Sequence, residues 1–263
     1  MKRLAVKLGV LFFLGSLCLF SHPRYCQAQG RANLVVAESD WPPYFFAGKP
    51  NTPQGFGKEL LKMILSEMGY GADFKFYPVN RMYSYLEDGE IDICVFSHSR
   101  DREGFLIYAS EPLFVSGYRP VILAEKDIQI RSLKDFDSLR VGHLAGLKYS
   151  KDYFEYLESR KKAGSLVMTT TGDGCLKMLL AGMIDIFVDT RETILWRAVQ
   201  MNSLARIKLL DFDIQTKEYF VTISRQSKVI DDKRAFMEKL DQCLKAAKKD
   251  GRYAALAKKY GIE

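Results

Sequence analysis

Two aromatic side chains lie on a loop near the start of the chain that two prolines stiffen. The segment Glu38-Ser39-Asp40-Trp41-Pro42-Pro43-Tyr44-Phe45 directly follows an apolar run that predicts a β-strand. A ring held by prolines loses little entropy when a ligand arrives, so Trp41 and Tyr44 can stack on a ligand or face its cationic group. Either ring can instead fill the hydrophobic core beneath its own strand, and the residue pattern leaves both interpretations open.

A second loop concentrates hydrogen-bond donors after another predicted strand. It reads Ser97-His98-Ser99-Arg100-Asp101-Arg102 and combines hydroxyls, backbone amides and guanidinium groups. Such donors suit a carboxylate or another anion, because charge-assisted hydrogen bonds are strong. We predict that Ser97, Ser99 and Arg102 contact a ligand. Arg100 is the weaker candidate, and either arginine can be a solvated surface charge.

The second half of the chain offers an anion-binding helix start and an isolated acid. Residues 144–149 lead from a predicted strand into a helix, and we predict that Tyr149 at their end contacts a ligand. The free backbone amides of such a helix start attract negative charge. Asp189 ends a later strand and precedes the start of another helix. Its carboxylate either caps that helix or faces a cleft as the acceptor for a ligand amine.

Other kinds of chemistry lack their motifs in this sequence. Gly142 and Gly146 do not have phosphate-loop spacing, no G-x-S-x-G motif occurs, and His98 and His143 lack the spacing of metal ligands. The three cysteines beyond the N-terminal segment are an odd number without a C-x-x-C pair, which argues against a disulfide framework and a zinc site. One disulfide stays open. We predict no catalytic residue, no metal and no cofactor.

A repeated pattern indicates the elements that must position these loops. L-x-x-G-x-I-D-I occurs at residues 86–93 and again at 179–186. In each copy the leucine closes the apolar face of a helix, the glycine takes the left-handed helix end, and a buried strand follows. Strand-like runs alternate with helical patterns, at 34–37, 74–77, 91–96, 121–124, 140–143, 166–169, 184–188 and 219–224. Alternation of this kind predicts an α/β protein of mostly parallel sheets.

The repeat predicts two α/β lobes with a ligand cleft between them. We expect lobe 1 to comprise residues 29–117 and 220–263, and lobe 2 to comprise residues 118–219. The chain would cross between the lobes at 116–120 and 215–219. Two crossings make a hinge that bends in one plane and resists twisting.

The first 28 residues are typical of a secretory signal peptide. Lys2, Arg3 and Lys7 precede an apolar run over 8–20, which is shorter than the roughly 20 residues a membrane span needs. We therefore expect a protein that is soluble and periplasmic after cleavage. Cleavage takes Lys plus Arg from 39 to 35 against 32 acidic residues, so the formal charge falls from +7 to +3. This composition gives no support to nucleic-acid binding.

In their order along the chain, several short motifs resemble the extracellular solute-binding proteins of family 3, the periplasmic receptors of polar amino-acid ABC transporters. The motifs are W-P-P-Y at 41–44, G-F-G-K-E-L at 55–60, Arg102 before S-E-P at 110–112, G-x-I-D at 182–185 and K-Y-G at 259–261. The resemblance covers essentially all of the chain after the signal peptide. It implies the type II periplasmic binding protein fold, in which a two-segment hinge joins two α/β lobes around a central ligand cleft.

The resemblance also implies roles for the candidate site residues. An early aromatic side chain, Trp41 or Tyr44, would stack on the ligand. Arg102 would grip the ligand's α-carboxylate, and Asp189 would take its α-amine.

Three positions depart from the family pattern. His98 and Ser99 stand where threonines are usual, and Leu147 stands where a threonine commonly follows the glycine of lobe 2. These changes remove or move carboxylate donors, which puts a standard amino acid in doubt as the ligand. Arg81, at the start of a helix expected to face the cleft, either supplies a replacement charge or lies on the surface.

Three functions fit such a cleft. The favoured one is a monomeric transport receptor that captures a small polar solute by hinge closure and passes it to the permease of an ABC transporter. A ligand-sensing subunit for a membrane receptor needs the same cleft. A cyclohexadienyl dehydratase-like enzyme would need a general acid, for which Glu38, Asp40, His98 and Asp189 are the candidates.

Overall fold

The computed structural model describes residues 32–46, 53–77, 79–145, 147 and 149–262. The predicted signal peptide lies outside these residues, and so do Gly146 and Lys148 of the predicted anion-binding loop. The strands are β1 Asn33–Glu38, β2 Gly71–Phe76, β3 Ile93–Ser97, β4 Leu106–Tyr108, β5 Phe114–Leu123, β6 Val141–Leu144, β7 Leu166–Thr169, β8 Ile186–Thr190, β9 Ile207–Leu209 and β10 Gln215–Ser224. The helices are α1 Phe56–Glu67, α2 Val79–Glu87, α3 Lys151–Lys162, α4 Gly174–Leu180, α5 Arg191–Gln200, α6 Lys233–Lys249 and α7 Arg252–Lys259.

One sheet links all of these strands. Its order is β2-β1-β3-β10-β5-β8-β6-β7, with β4 also paired to β10 and β9 to β5. β1 runs parallel to β2 and β3, and β6 runs parallel to β7 and β8. The sheet therefore holds two parallel three-stranded units, β2-β1-β3 and β8-β6-β7, as the alternating sequence pattern predicts.

The two units connect through β5 and β10, which lie side by side and antiparallel. Residues 215–219 of β10 pair with residues 114–118 of β5. Beyond this segment β10 continues along β3, whereas β5 continues along β8. Both predicted crossings, 116–120 and 215–219, overlap these two strands.

The aspartate of the repeated pattern performs the same task in each unit. Asp92 Oδ2 accepts a hydrogen bond from the Val35 amide at 2.8 Å, and Asp185 Oδ2 accepts one from the Arg140 amide at 2.9 Å. Each aspartate amide donates back to the carbonyl of the same partner, at 3.0 Å for Val35 and 2.9 Å for Arg140. The repeated residue thus fixes the start of its own strand against the parallel neighbour.

Hydrophobic clusters cover both faces of each unit. On the β1–β3 unit, α1 packs with α6 and α7 on one face and α2 on the other. On the β6–β8 unit, α3 packs on one face, while α4 and α5 pack on the other. Within the described ranges no helix is both long and apolar enough to cross a bilayer.

The three cysteines of the described residues are free thiols. Cys94, Cys175 and Cys243 are all buried. Burial raises the pKa of the Cys94 and Cys175 thiols to about 12. Each thiol therefore packs as a small apolar side chain.

The two glycines of the repeat should differ in their sensitivity to substitution. Both have a left-handed backbone, with φ of +73° at Gly89 and +68° at Gly182, a conformation that costs an L-residue roughly 1–2 kcal/mol. A Cβ on Gly89 would also lie 2.3 Å from the Gln226 carbonyl oxygen, whereas one on Gly182 meets no described atom within 4 Å. We expect Gly89→Ala to lower the free energy of unfolding by about 1–3 kcal/mol more than Gly182→Ala does in urea denaturation. Equal losses would contradict this explanation.

Candidate functional site

One face of the paired strands β5 and β10 collects side chains from both units. The register places Tyr219 opposite Phe114 and Lys217 opposite Ser116. Because paired and alternate residues of antiparallel strands share a face, these four side chains lie together. The same face continues to Ser97, which pairs with Tyr219, and to Tyr118 and Thr190, which pair with each other.

The aromatic loop after β1 covers this face. The Trp41 ring lies 4.7 Å from the Tyr219 ring and 5.3 Å from the Phe114 ring. Tyr44 stacks on Phe114 at 4.0 Å and is fully buried. The Tyr44 ring therefore has Phe114 on its face, while Trp41 is only partly buried and keeps some exposed surface.

A chain of hydroxyls joins this loop to the start of α5. Trp41 Nε1 donates to Thr190 Oγ1 at 3.3 Å, Thr190 Oγ1 donates to Thr193 Oγ1 at 2.6 Å, and Thr193 Oγ1 donates to the Pro42 carbonyl at 2.6 Å. Hydrogen bonds in series polarise one another and so strengthen one another. These bonds connect the carboxyl ends of β1 and β8, one from each unit.

Glu192 lies beside the same loop with little of its side chain exposed. Its side chain is 9% exposed, and Ser116 Oγ donates to its Oε2 at 2.9 Å. Burial, and then the negative charge of Glu192, raise the pKa of the Tyr44 hydroxyl well above its usual value. That hydroxyl makes no hydrogen bond of ordinary geometry with the described residues.

The donor loop after β3 places Arg102 half-buried in a short 3-10 turn. Its guanidinium carbon lies 4.8 Å from the centre of the Phe96 ring. Within the described ranges, no carboxylate forms an ion pair with it. Ser97 and Ser99 are also half-buried, whereas Arg100 is exposed.

Other candidates from the same part of the sequence lie further into solvent. His98 is exposed and pairs with Glu103 at 2.8 Å. Arg81 is exposed on α2. Glu38, one of the possible general acids, is buried and accepts two hydrogen bonds from Lys58 Nζ, each at 3.0 Å.

Asp189 already holds a cation inside its own unit. Its Oδ1 accepts from the Thr190 amide at 2.8 Å, and its Oδ2 accepts from Arg197 Nη1 at 2.9 Å. Arg197 is 6% exposed, and its Nε lies 3.4 Å from Asp173 Oδ1. Burial raises the pKa of Asp189, while the positive charge of Arg197 opposes the rise.

Tyr149 lies in the core beneath α3 rather than beside Arg102. Its hydroxyl donates to the Val188 carbonyl at 3.1 Å and lies 3.4 Å from His143 Nδ1. Its ring packs 5.0 Å from the rings of both Tyr118 and Tyr153.

The pKa of the Tyr219 hydroxyl depends on groups from both units. Burial raises the pKa of its hydroxyl. Tyr118, as a hydrogen-bond donor, lowers it, the charge of Asp189 raises it, and that of Arg102 lowers it. The Tyr219 hydroxyl is therefore subject to charge from both units, from Arg102 of one and from Asp189 and Glu192 of the other.

Several polar residues of this site were not predicted from the sequence: Ser116, Tyr118, Thr190, Glu192, Thr193, Arg197, Lys217 and Tyr219. One signal was available for Arg197. It falls on the apolar stripe of α5, between Ile194 and Ala198, where a charged side chain needs a buried partner. Glu192 and Thr193 depend on how α5 packs, and the others depend on strand register.

A family model for bacterial extracellular solute-binding proteins, family 3, matches residues 34–263. The chain belongs to this family. Comparison with curated protein sequences gives no significant match. The match to the family model confirms the resemblance predicted from the sequence.

Solved structures similar to this family 3 protein show its fold. An ancestral arginine-binding protein bound to arginine is 24% identical with a TM-score of 0.69, covering 88% of this chain and 98% of its own. A histidine kinase sensor domain with similarity to periplasmic binding proteins is 22% identical with a TM-score of 0.69, covering 88% and 96%. An ancestral amino acid-binding protein, a precursor of cyclohexadienyl dehydratase, is 18% identical with a TM-score of 0.68, covering 87% and 95%. The fold is the type II periplasmic binding protein fold, with two α/β lobes and a two-segment hinge, as the resemblance implies.

His143 should make this family 3 protein less stable in mild acid. Burial lowers the pKa of His143 below its ordinary value of 6.5. As the pH falls below 6.5, His143 takes up a proton more readily in the unfolded chain than in the folded one. The free energy of unfolding therefore decreases, by at most about 1.4 kcal/mol per pH unit. We expect His143→Gln to flatten the dependence of unfolding free energy on pH between 6.5 and 5. An unchanged slope in His143→Gln would refute the assignment.

Proposed function

We propose that this protein is an exported receptor that captures a small polar solute, amino-acid-like or another small charged metabolite, and delivers it to the permease of an ABC transporter. The observation that carries the proposal is the face of β5 and β10 on which polar side chains from both units meet, with Lys217 opposite Ser116 and Tyr219 opposite Ser97. Hydroxyl groups on this face, the ammonium group of Lys217 and the guanidinium of Arg102 on the loop that follows Ser97 suit one small polar guest. Trp41, partly exposed beside Tyr219, supplies an aromatic surface for it.

The lobes follow the pairing of the two long strands. We assign residues 1–28 to a signal peptide, residues 29–117 and 220–263 to lobe 1, and residues 118–219 to lobe 2. The course of β10 from β5 to β3, and of β5 from β10 to β8, supports these limits. The mature protein acts in the periplasm as a monomer, without a cofactor.

Capture works by closure of the hinge. The ligand first binds one lobe, and the second lobe then completes its coordination. A ligand drives this change only by as much as it prefers the closed state over the open one. The closed lobes are then the form that a permease recognises.

A sensory role is the second candidate. The similarity to a histidine kinase sensor domain favours it, and it uses the same cleft with a different membrane partner. A permease gene beside this one would favour transport.

An enzymatic role is supported by one structural neighbour, the precursor of cyclohexadienyl dehydratase. The side chains argue against it, because three of the candidate general acids already have partners. Glu38 holds Lys58, Asp189 holds Arg197, and His98 pairs with Glu103. Turnover of a prephenate-like acid by the purified protein would decide for the enzyme.

A thermal-shift screen tests the binding function directly. The panel contains amino acids, oligopeptides, amines and organic acids. A ligand at one hundred times its Kd adds about 2.7 kcal/mol to the native state, which raises the Tm of a protein of this size by roughly 5–10 °C. We expect at least one class to give such a shift. A panel without any shift would count against the proposal.

Arg102 should be essential for affinity but not for folding. Its guanidinium has no acidic partner among the described residues, so its loss leaves no buried charge behind in the unliganded protein. Removing one partner of a desolvated charge pair costs about 3–5 kcal/mol, or roughly two to four decades in Kd. We expect Arg102→Ala to abolish measurable binding of the screened ligand in calorimetry, with an unchanged melting temperature. The matched control is Arg100→Ala on the same turn, which should bind normally; near-native affinity of Arg102→Ala would refute the role.

A further inference from the structure

Lys217 and Arg102 lie at the same edge of the sheet. Lys217 is two residues before Tyr219 on β10 and shares its face, and Tyr219 pairs with Ser97 at the end of β3. The Arg102 amide donates to the carbonyl of Ser99, two residues beyond Ser97, at 3.1 Å. The register thus brings a second cation to the edge where the donor loop begins.

Neither cation is neutralised by the protein. Within the described part of the chain, no Asp or Glu forms an ion pair with Lys217 or with Arg102. Lys217 is half-buried, and burial, followed by the positive charge of Arg102, lowers the pKa of its ammonium group. Like charges held near one another raise the energy of the empty site, and an anion bound between them relieves this repulsion.

Asp189 of lobe 2 is less able to bind a ligand ammonium group, because both of its carboxylate oxygens already accept hydrogen bonds. One oxygen of Asp189 accepts a hydrogen bond from the Thr190 amide, and the other accepts one from Arg197. Gly172 makes room for this guanidinium, since a Cβ there would lie 2.0 Å from Arg197 Nη2. The negative charge of Asp189 is therefore compensated within lobe 2.

Glu192 is the other acid near Tyr219. Its contacts are with Ser116 of the hinge strand β5 and with the exposed Arg191, whose Nη1 lies 3.9 Å away. Its charge acts on Tyr44 and on Tyr219. Its side chain is 9% exposed and its Oε2 is held by the Ser116 hydroxyl, so an ammonium group reaches it only by displacing that contact.

We propose that Arg102 and Lys217 together bind the anionic group of the ligand, and that this ligand is a small organic acid without an ammonium group. The inference rests on the proposed solute-binding function and narrows its ligand class. Lys217 is then a residue that determines specificity. Arg197 acts through Asp189 as a positioning residue, because its ion pair occupies the carboxylate that a ligand amine would otherwise contact.

The test compares acids with amino acids of the same skeleton. The pairs are succinate with L-aspartate, glutarate with L-glutamate, and 3-phenylpropionate with L-phenylalanine, and simple alkylamines complete the set. Isothermal titration of the purified exported protein measures each Kd. We expect at least one acid to bind at least about tenfold more tightly than its amino-acid counterpart.

Variants separate the two parts of the inference. Lys217→Met should raise the Kd of the preferred acid at least about tenfold and weaken its dependence on salt. Lys208→Met is the matched control, because Lys208 is exposed on β9, and it should leave the Kd unchanged. Arg197→Met, checked for folding by its thermal melt, should narrow the gap between acid and amino acid. Lys217 is only half-buried, so its variant carries the test even where Arg197→Met does not fold.

The outcomes are distinct. Amino acids or amines that bind as tightly as the acids would overturn the inference and leave the solute-binding function standing. An unchanged Kd in Lys217→Met would remove Lys217 from the site. If no acid, amino acid or amine binds, the proposed function fails, and the inference fails with it.

Discussion

The antiparallel pairing of β5 with β10 is the constraint on which the rest of the structure depends. Its ladder fixes which residues oppose each other across a sequence separation of about a hundred residues, and so sets Lys217 beside Ser116 and Tyr219 beside Phe114. Each strand then leaves the pair to join a different parallel unit. A slip of one residue would turn this whole polar set to the opposite face. The site is therefore as well defined as the hinge that carries it.

Within the described part of the chain, side-chain contacts also join the two units outside the paired strands β5 and β10. They include the hydroxyl chain from Trp41 to Pro42 and an edge contact between the Phe46 and Trp196 rings at 5.2 Å. Each hydrogen bond contributes a net of about 1 kcal/mol, so these contacts stabilise the observed arrangement of the two units by a few kcal/mol. A difference of that size lies within the range that one ligand can shift through differential binding.

The sequence was sufficient for the architecture and for the loops, because both depend on local patterns. The repeat at 86–93 and 179–186 marks helix ends and strands by residue type alone, and the loops of Trp41, Arg102 and Asp189 follow strands that can be recognised by hydropathy. Strands β4 and β9 were not predicted, because each has three residues, too few for a periodic hydropathy signal. The sequence did not predict the proximity of Lys217, Ser116 and Glu192 for another reason. That proximity comes from strand register and from the packing of α5 on the hinge, which no local pattern encodes.

The buried pair of Asp189 and Arg197 illustrates how one contact can serve both folding and recognition. Removing two charges from water costs several kcal/mol each, so such a pair stabilises a fold weakly at best, and apolar residues would often serve as well. Here the pair ties the end of β8 to α5 and, through Gly172 and Asp173, to the loop after β7. The same contact holds the start of α5, and with it Thr190 and Thr193, in place for the loop of the opposite unit. The pair also leaves the negative charge of Asp189 compensated by Arg197.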